Sequence, residues 1–301
     1  MPAMMGAAAT LTRAGPPRAV RGVRAVRAAS RLARGHAAAP RRSAARCGWG
    51  DDVQFAARSV VAVGRVGPYT LLRVEAPEEA KQYTAPGQYV QMRMPGSDEA
   101  AFLAIASAPD GGESTVLEFL IKPVEGKPAG ALCAVAEGDE VEMSPPAGKG
   151  FALAQKLGGE PADVPMLLLL STGSGLAPLR ALCLASQEHG GLRGSGYPDV
   201  RLVHGARSAA EIPFVEDLQR LHAAGLEVTS ALSTEGASVD FPYDFGTFEG
   251  YVQEAIAEAG DDLELDENCA AVVIGQKEMF GETAEVLGKL GVPKERLVSN
   301  F

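Results

Sequence analysis

The spacing of hydrophobic positions changes character near residue 151. Before it, apolar residues come in short runs broken by glycine and proline. Ser59–Val66, Tyr69–Ala76, Gln88–Met94, Thr115–Ile121 and Glu140–Ser144 read as strands. Gly67-Pro68, Ala85-Pro86-Gly87, Pro95-Gly96, Pro109–Gly112 and Gly138-Asp139 separate them as turns. Only Ala129–Ala136 reads as a helix in this half. Many short strands with regular turns predict a small antiparallel β-barrel. Beyond Phe151 the strand-like runs are Met166–Leu170, Val200–His204, Glu227–Leu232 and Ala270–Ile274. Helical stretches Ala177–Gln187, Phe214–Ala224, Tyr251–Ala259 and Lys277–Leu290 alternate with them. That order predicts a parallel sheet covered by helices on both faces. The joint falls at Leu157–Pro165, where Gly-Gly-Glu-Pro-Ala-Asp marks a solvated linker. The expected organisation is two-domain: a β-barrel over 53–155, then an α/β domain over 164–301.

One segment of the second half carries chemistry. Residues 166–180 pass from the apolar run Met166–Leu170 through Thr172-Gly173-Ser174-Gly175 into Leu176-Ala177-Pro178. The run is too short to span a bilayer but suits a strand buried on both faces. Gly173 and Gly175 permit a sharp turn and let backbone N–H groups approach a ligand. Pro178, with its pre-set φ and no N–H, suits the first turn of a helix. Strand, glycine turn and helix N-terminus together make an anion site, the usual seat of a dinucleotide pyrophosphate. The same geometry would also serve a purely structural strand–helix turn.

Composition sets the first fifty residues apart. They contain ten arginines and no Lys, Asp or Glu, with alanine filling much of the remainder. An Arg-rich, acid-free start without an apolar h-region reads as an organellar transit peptide over 1–50, chloroplast ahead of mitochondrion. The alternative is a basic arm that binds nucleic acid or anionic lipid. The rest of the chain then holds 18 of the 28 basic residues against all 38 acidic ones, a net charge of −20. A body this acidic repels nucleic acid. Cys47, Cys133, Cys183 and Cys269 form no CxxC pair, and His36, His189, His204 and His222 are isolated, so no metal site is assigned.

A small barrel followed by a nucleotide-type α/β domain resembles the ferredoxin–NADP reductase superfamily over about residues 53–301. Gln88-Tyr89-Val90 after Pro86-Gly87 looks like the strand leading to that family's flavin motif, and Ile105-Ala106-Ser107 like the motif's tail. Glu137-Gly138-Asp139-Glu140-Val141 looks like the turn before the last barrel strand. Thr172-Gly173-Ser174-Gly175-Leu176-Ala177-Pro178 matches the nicotinamide-nucleotide turn, and His204-Gly205-Ala206-Arg207-Ser208 resembles the segment that meets the adenosine ribose. Gly275 through Met279 sits where the family has its nicotinamide-side loop. Phe301 ends the chain where many members carry an aromatic.

The resemblance implies an oxidoreductase that moves electrons from NAD(P)H through FAD to an unidentified acceptor. Thr172, Gly173, Ser174, Gly175 and Pro178 would hold the pyrophosphate, with Ala177 in the same cofactor-binding turn and Gly275 leaving room for nicotinamide. Met279 lies near that ring's expected place but reads equally as a core residue at a helix start. Arg207 would meet a ribose or its 2′-phosphate, or simply be a surface arginine, which leaves NADH against NADPH open. Ile105, Ala106, Ser107 and Gly130 would meet the flavin, largely through backbone, and Phe301 would shield it. Glu278 is either a proton carrier near the ring or an acid that complements a helix dipole.

Departures from the family pattern bear on the flavin. Its Arg-x-Tyr-Ser/Thr motif falls on Ala101, Phe102, Leu103 and Ala104. Its Gly-x-x-Ser turn falls on Gly126-Lys127-Pro128-Ala129, its Gly-Pro-aromatic-Gly turn on Pro145-Pro146-Ala147-Gly148, and its nicotinamide-side cysteine on Ile274. Lys122 or Lys127 offers a substitute cation. The competing expectation is a redox-inactive relative that binds a nucleotide or a protein partner. Ferredoxin, acidic in the family picture, is not expected as a partner of a −20 body.

Overall fold

The computed structural model describes residues 53–234 and 241–299, with Asp261 described in its backbone only. Residues 1–50, expected to be a transit peptide, and Phe301 lie outside the described residues. In chain order, the first half contains β1 (Ala56–Val66), β2 (Tyr69–Glu75), α1 (Pro77–Gln82), β3 (Tyr89–Arg93), β4 (Ala101–Ala104), β5 (Val116–Ile121), α2 (Pro128–Leu132) and β6 (Glu140–Met143). The strands form one antiparallel sheet in the order β4-β3-β6-β1-β2-β5. Its two edges meet where Ile105, just past β4, bridges Phe119 of β5. Ala106 N–H then donates to Glu118 O at 2.8 Å, so the sheet closes into the expected barrel. Alternation fills it: Leu72, Val74, Val90, Met92, Phe119, Val141 and Met143 point inward and are buried.

Two elements of this half go beyond the sequence reading. Helix α1 carries Pro77 at its start, Glu78 and Glu79 in its first turn and Lys81 in its last, all favourable end signals. Its six residues are too few to display a 3.6-residue period. Arg58 of β1 holds it down, its guanidinium donating to both carboxylate oxygens of buried Glu79 at 2.8 Å. Strand β4 is the Ala-Phe-Leu-Ala stretch, whose two alanines hide the alternation that buries Leu103 and exposes Phe102. Helix α2 is shorter than Ala129–Ala136 because the chain turns back toward β6 after Leu132.

A short helix α3 (Leu153–Leu157) leads to the linker, where Pro161–Asp163 form one 3-10 turn whose Asp163 carboxylate accepts from Glu160 N–H at 2.9 Å. The second half runs β7 (Leu167–Thr172), α4 (Leu176–Leu184), β8 (Val200–Ala206), α5 (Val215–Ala223), β9 (Glu227–Leu232), β10 (Gly246–Glu249), α6 (Val252–Leu263), β11 (Ala270–Ile274), α7 (Lys277–Lys289) and β12 (Leu297–Val298). All six strands are parallel, in the order β10-β9-β8-β7-β11-β12. Leu167 and Leu169 pack on one face with Leu176, Leu179 and Leu182 of α4, while Leu168 and Leu170 pack on the other with Val252 and Ile256 of α6 and Leu287 of α7. The continuous leucine run follows from this two-sided burial. Edge strands β10 and β12, of four and two residues, are too short to show in a hydrophobic pattern. Helix α4 ends at Leu184 rather than Gln187, because Ala185 adopts an extended conformation.

The two halves share a core. Tyr69, Ala106 and Leu120 of the barrel sit in the same buried cluster as Leu176 and Ala177 of α4. Among the described residues no helix is long and apolar enough to cross a membrane.

Candidate functional site

Strand order locates the crevice. The chain winds outward from β7 through β8, β9 and β10, then returns to the other side of β7 as β11. Connections leaving β7 and β11 therefore diverge at their carboxyl ends, and open α/β sheets bind ligands at such a reversal. Thr172–Gly175 leave β7 there and Gly275–Met279 leave β11, so the two predicted segments are brought together.

Gly173–Gly175 form a 3-10 turn that runs straight into α4. Gly173 has φ +59°, a left-handed conformation that a side chain would strain. Gly175 answers a different need: a Cβ there would stand 2.5 Å from Ile274 O, so its bareness lets the turn lie against β11. Thr172 lies between two further glycines. A Cβ on Gly275 would meet its Oγ1 at 2.5 Å, and a Cβ on Gly205 its Cγ2 at 2.9 Å. The first N–H groups of this helical run have no acceptor within the helix. Thr172, Gly173, Ser174, Gly175 and Gly275 are all partly accessible.

Other predicted residues are less accessible or already paired. Ala177 and Pro178 are buried in the first turn of α4. Met279 is 7% exposed, with its sulfur 3.1 Å from where a Gly275 Cβ would sit; the space over Gly275 is occupied by Thr172 and Met279. Arg207 is exposed, but its guanidinium is paired with Glu211 (Nε–Oε2 3.0 Å, Nη2–Oε1 2.9 Å). Glu278 is an exposed acid in the first turn of α7.

On the barrel side the expected backbone donors are committed elsewhere. Ile105 N–H donates to Gln88 O at 3.1 Å, Ala106 N–H to Glu118 O at 2.8 Å and Gly130 N–H to Lys127 O at 2.9 Å. Ser107 is also engaged: its Oγ accepts from Glu118 N–H and its carbonyl from the Tyr83 hydroxyl at 3.0 Å. Gly130 is glycine for packing, since a Cβ would stand 2.6 Å from Val124 O. Leu103 is turned into the barrel core, and Ala101 and Ala104 carry no side-chain donor. Exposed Lys122 and Lys127 remain, with the Ala129 N–H behind Pro128 in the first turn of α2.

Two groups that sequence reasoning did not single out stand at this site. Arg180 of α4 is mostly buried and binds both halves. Its Nε donates to Asp217 Oδ2 of α5 at 2.5 Å, and its Nη1 donates to Ala106 O at 2.8 Å and Glu118 Oε2 at 2.6 Å. Its guanidinium also lies 4.5 Å from the Phe214 ring centroid. The available signal was an arginine in the otherwise apolar run Leu176–Leu184. Tyr69 of β2 is the second, its hydroxyl facing Gly173 from the barrel; nothing in the sequence near Gly67-Pro68 marks it.

Beneath the site, His204 of β8 is fully buried, with Nδ1 2.9 Å from Ser171 Oγ and Nε2 unpaired. Burial disfavours the imidazolium and pulls its pKa down from 6.5 to about 4. The unfolded chain takes up this proton near pH 6.5, the folded protein only near 4. Stability is therefore full above pH 6.5 and falls as pH drops toward 4, by on the order of 3 kcal/mol. Urea unfolding of His204→Gln should show a correspondingly flatter dependence over that window; identical slopes for both proteins would contradict this.

No family model matches the chain. It is 30% identical to the fruit protein pKIWI502 of Actinidia deliciosa over 229 residues, 74% of this chain and 68% of that protein. It is 28% identical to the reductase component of propane 2-monooxygenase from Mycolicibacterium goodii over 190 residues, 62% of this chain and half of the relative's length. Among solved structures, a ferredoxin NADP+ reductase from Neisseria gonorrhoeae with bound FAD and NADP superposes with a TM-score of 0.67 at 17% identity, covering 83% of this chain and all of that one. With its closed antiparallel barrel, its six-stranded parallel sheet and its glycine turn at the reversal point, this chain has the two-domain fold of ferredoxin–NADP reductases and belongs to one family with the fruit protein pKIWI502.

Proposed function

We propose that this protein is an electron-transfer reductase that takes hydride from NAD(P)H and delivers electrons through FAD to a separate acceptor. The observation that carries this reading is the crevice at the β7/β11 reversal, with its glycine turn facing a barrel that shares its core. Relatives named as reductase components of oxygenases support it. The nucleotide half fits well: unfilled N–H groups at the start of α4, accessible Ser174 and small Gly173 suit a diphosphate. The flavin half fits loosely, with the Ala129 N–H and the ammonium groups of Lys122 and Lys127 available for its phosphates. A flavin held there would supply the hydride-accepting redox chemistry. The chain's part is positional. Arg180 ties the tail of β4 to the helix that starts at the nucleotide turn, so the two subsites keep one geometry.

A second reading rests on the Ala101, Leu103 and Ala104 substitutions together with the committed N–H groups of Ile105, Ala106 and Gly130: a reductase fold that binds nucleotide without redox chemistry. An absorption spectrum separates the two. The purified protein, supplied with FAD, should be yellow and bleach when NADH or NADPH is added anaerobically. A colourless protein that takes up no flavin on titration supports the second reading instead. The acceptor's docking face is basic rather than ferredoxin-like, given the −20 charge of residues 51–301. The arginine-rich leader sends the chain to an organelle, the chloroplast first.

A further inference from the structure

Tyr69 opens β2 directly after the Gly67-Pro68 turn and is 6% exposed. Its hydroxyl oxygen lies 3.2 Å from the point a Cβ on Gly173 would occupy, so it crosses from the barrel to the glycine turn. A buried phenol hydroxyl ordinarily has a hydrogen-bond partner. Among the described residues no protein group bonds this one. Nor is the atom sealed away: the enclosed unpaired side-chain atoms are His204 Nε2, Ser230 Oγ and Thr283 Oγ1. An unused donor therefore faces the start of α4 from the opposite lobe.

On the reading of this crevice as a dinucleotide site, on which the inference rests, we propose that Tyr69 is a ligand of the coenzyme. Its O–H donates to a phosphate oxygen of the diphosphate seated at Gly173–Gly175. The diphosphate is the part of a dinucleotide drawn to a helix N-terminus, because unfilled N–H groups and the helix dipole both favour negative charge. A phenol adds a donor without adding a charge. The nearest acid, Glu211, does not oppose the phosphate unscreened, since Arg207 pairs with it. Burial and Glu211 together keep the phenol protonated, against a smaller opposing effect of Arg207, so it remains a donor at neutral pH. The coenzyme is then gripped by both lobes at once, by backbone from the sheet domain and by one side chain from the barrel.

Tyr69→Phe tests this, since it removes one oxygen and keeps the ring in its cluster. Calorimetric titration of the full chain with NADH and with NADPH should show whichever coenzyme binds the wild type binding Tyr69→Phe about tenfold more weakly. The melting temperature should not fall, because the lost hydroxyl has no protein partner. On the wild type alone, with ring-labelled tyrosine, the Tyr69 Cζ resonance, one of six in the chain, should move when inorganic pyrophosphate is added. Equal affinities in the two proteins, or an unmoved resonance, overturn the role of Tyr69 and leave the dinucleotide site standing. Failure of the wild type to bind either coenzyme or pyrophosphate overturns both.

Discussion

Arg180→Met is expected to destabilise the protein by about 4 kcal/mol, more than any neighbouring surface change. The guanidinium is mostly buried and serves three acceptors at once: Asp217 at 2.5 Å, Glu118 at 2.6 Å and the Ala106 carbonyl at 2.8 Å. Methionine matches much of the stem but leaves a carbonyl and two mostly buried carboxylates short of a donor. An unfilled buried acceptor costs about 1–3 kcal/mol, and a stranded charge more. The loss is moderated because each carboxylate keeps a second arginine, Arg73 on Glu118 and Arg220 on Asp217. Arg180→Lys should recover only part, since one ammonium on a flexible stem cannot reproduce the planar fork. Denaturant titration reads both changes; a loss under about 1 kcal/mol in Arg180→Met would show that the network contributes little. The expected consequence for function is separate from stability. With the clamp gone, the tail of β4 and the start of α4 are no longer held by a common side chain, so coenzyme binding should survive while electron delivery slows.

Restoring the polar pattern on β4 is expected to tighten flavin binding by about 10²-fold. Ala101→Arg supplies a charge-assisted phosphate contact of roughly 1.5–3 kcal/mol, and Ala104→Ser a hydrogen bond of roughly 0.5–1.5 kcal/mol. At about 1.4 kcal/mol per tenfold, the pair spans factors of about 30 to 10³. Both positions are partly exposed; Ala104 lies on the face of exposed Phe102, while Ala101 also packs against the barrel core, so the arginine must turn outward at this edge. Leu103 is a different case: it is 8% exposed and packed inside, and a tyrosine there would have to displace its neighbours. Fluorescence titration with FAD checks the prediction on Ala101→Arg/Ala104→Ser. An affinity unchanged within threefold would mean that the flavin, if held at all, does not lie along β4.

Much of this architecture was legible in residue order. Two-sided burial forces a continuous leucine run into β7, and one-sided burial forces alternation into β2, so period alone separated a parallel sheet from a barrel. Glycines mark the turn at 173–175 because a positive φ and a 2.5 Å approach to a carbonyl both exclude a side chain. Short elements escaped for lack of period: α1 with six residues, β12 with two, and β4, where alanine stands on both faces.

Roles that depend on distant partners were not readable at all. Nothing near Tyr69 in the chain shows that it faces Gly173, about a hundred positions away, and nothing near Ala106 shows that its carbonyl is taken by Arg180. Likewise the close packing of Gly130 against the Val124 carbonyl and of the Met279 sulfur over Gly275 cannot be read from their positions in the chain. Local periodicity and turn chemistry are properties of neighbours in sequence, and they determined the two lobes, their order and the place of the anion turn. Which donors are free, which are already bonded and which side chain crosses from one lobe to the other depend on long-range proximity, and only the folded chain decides that.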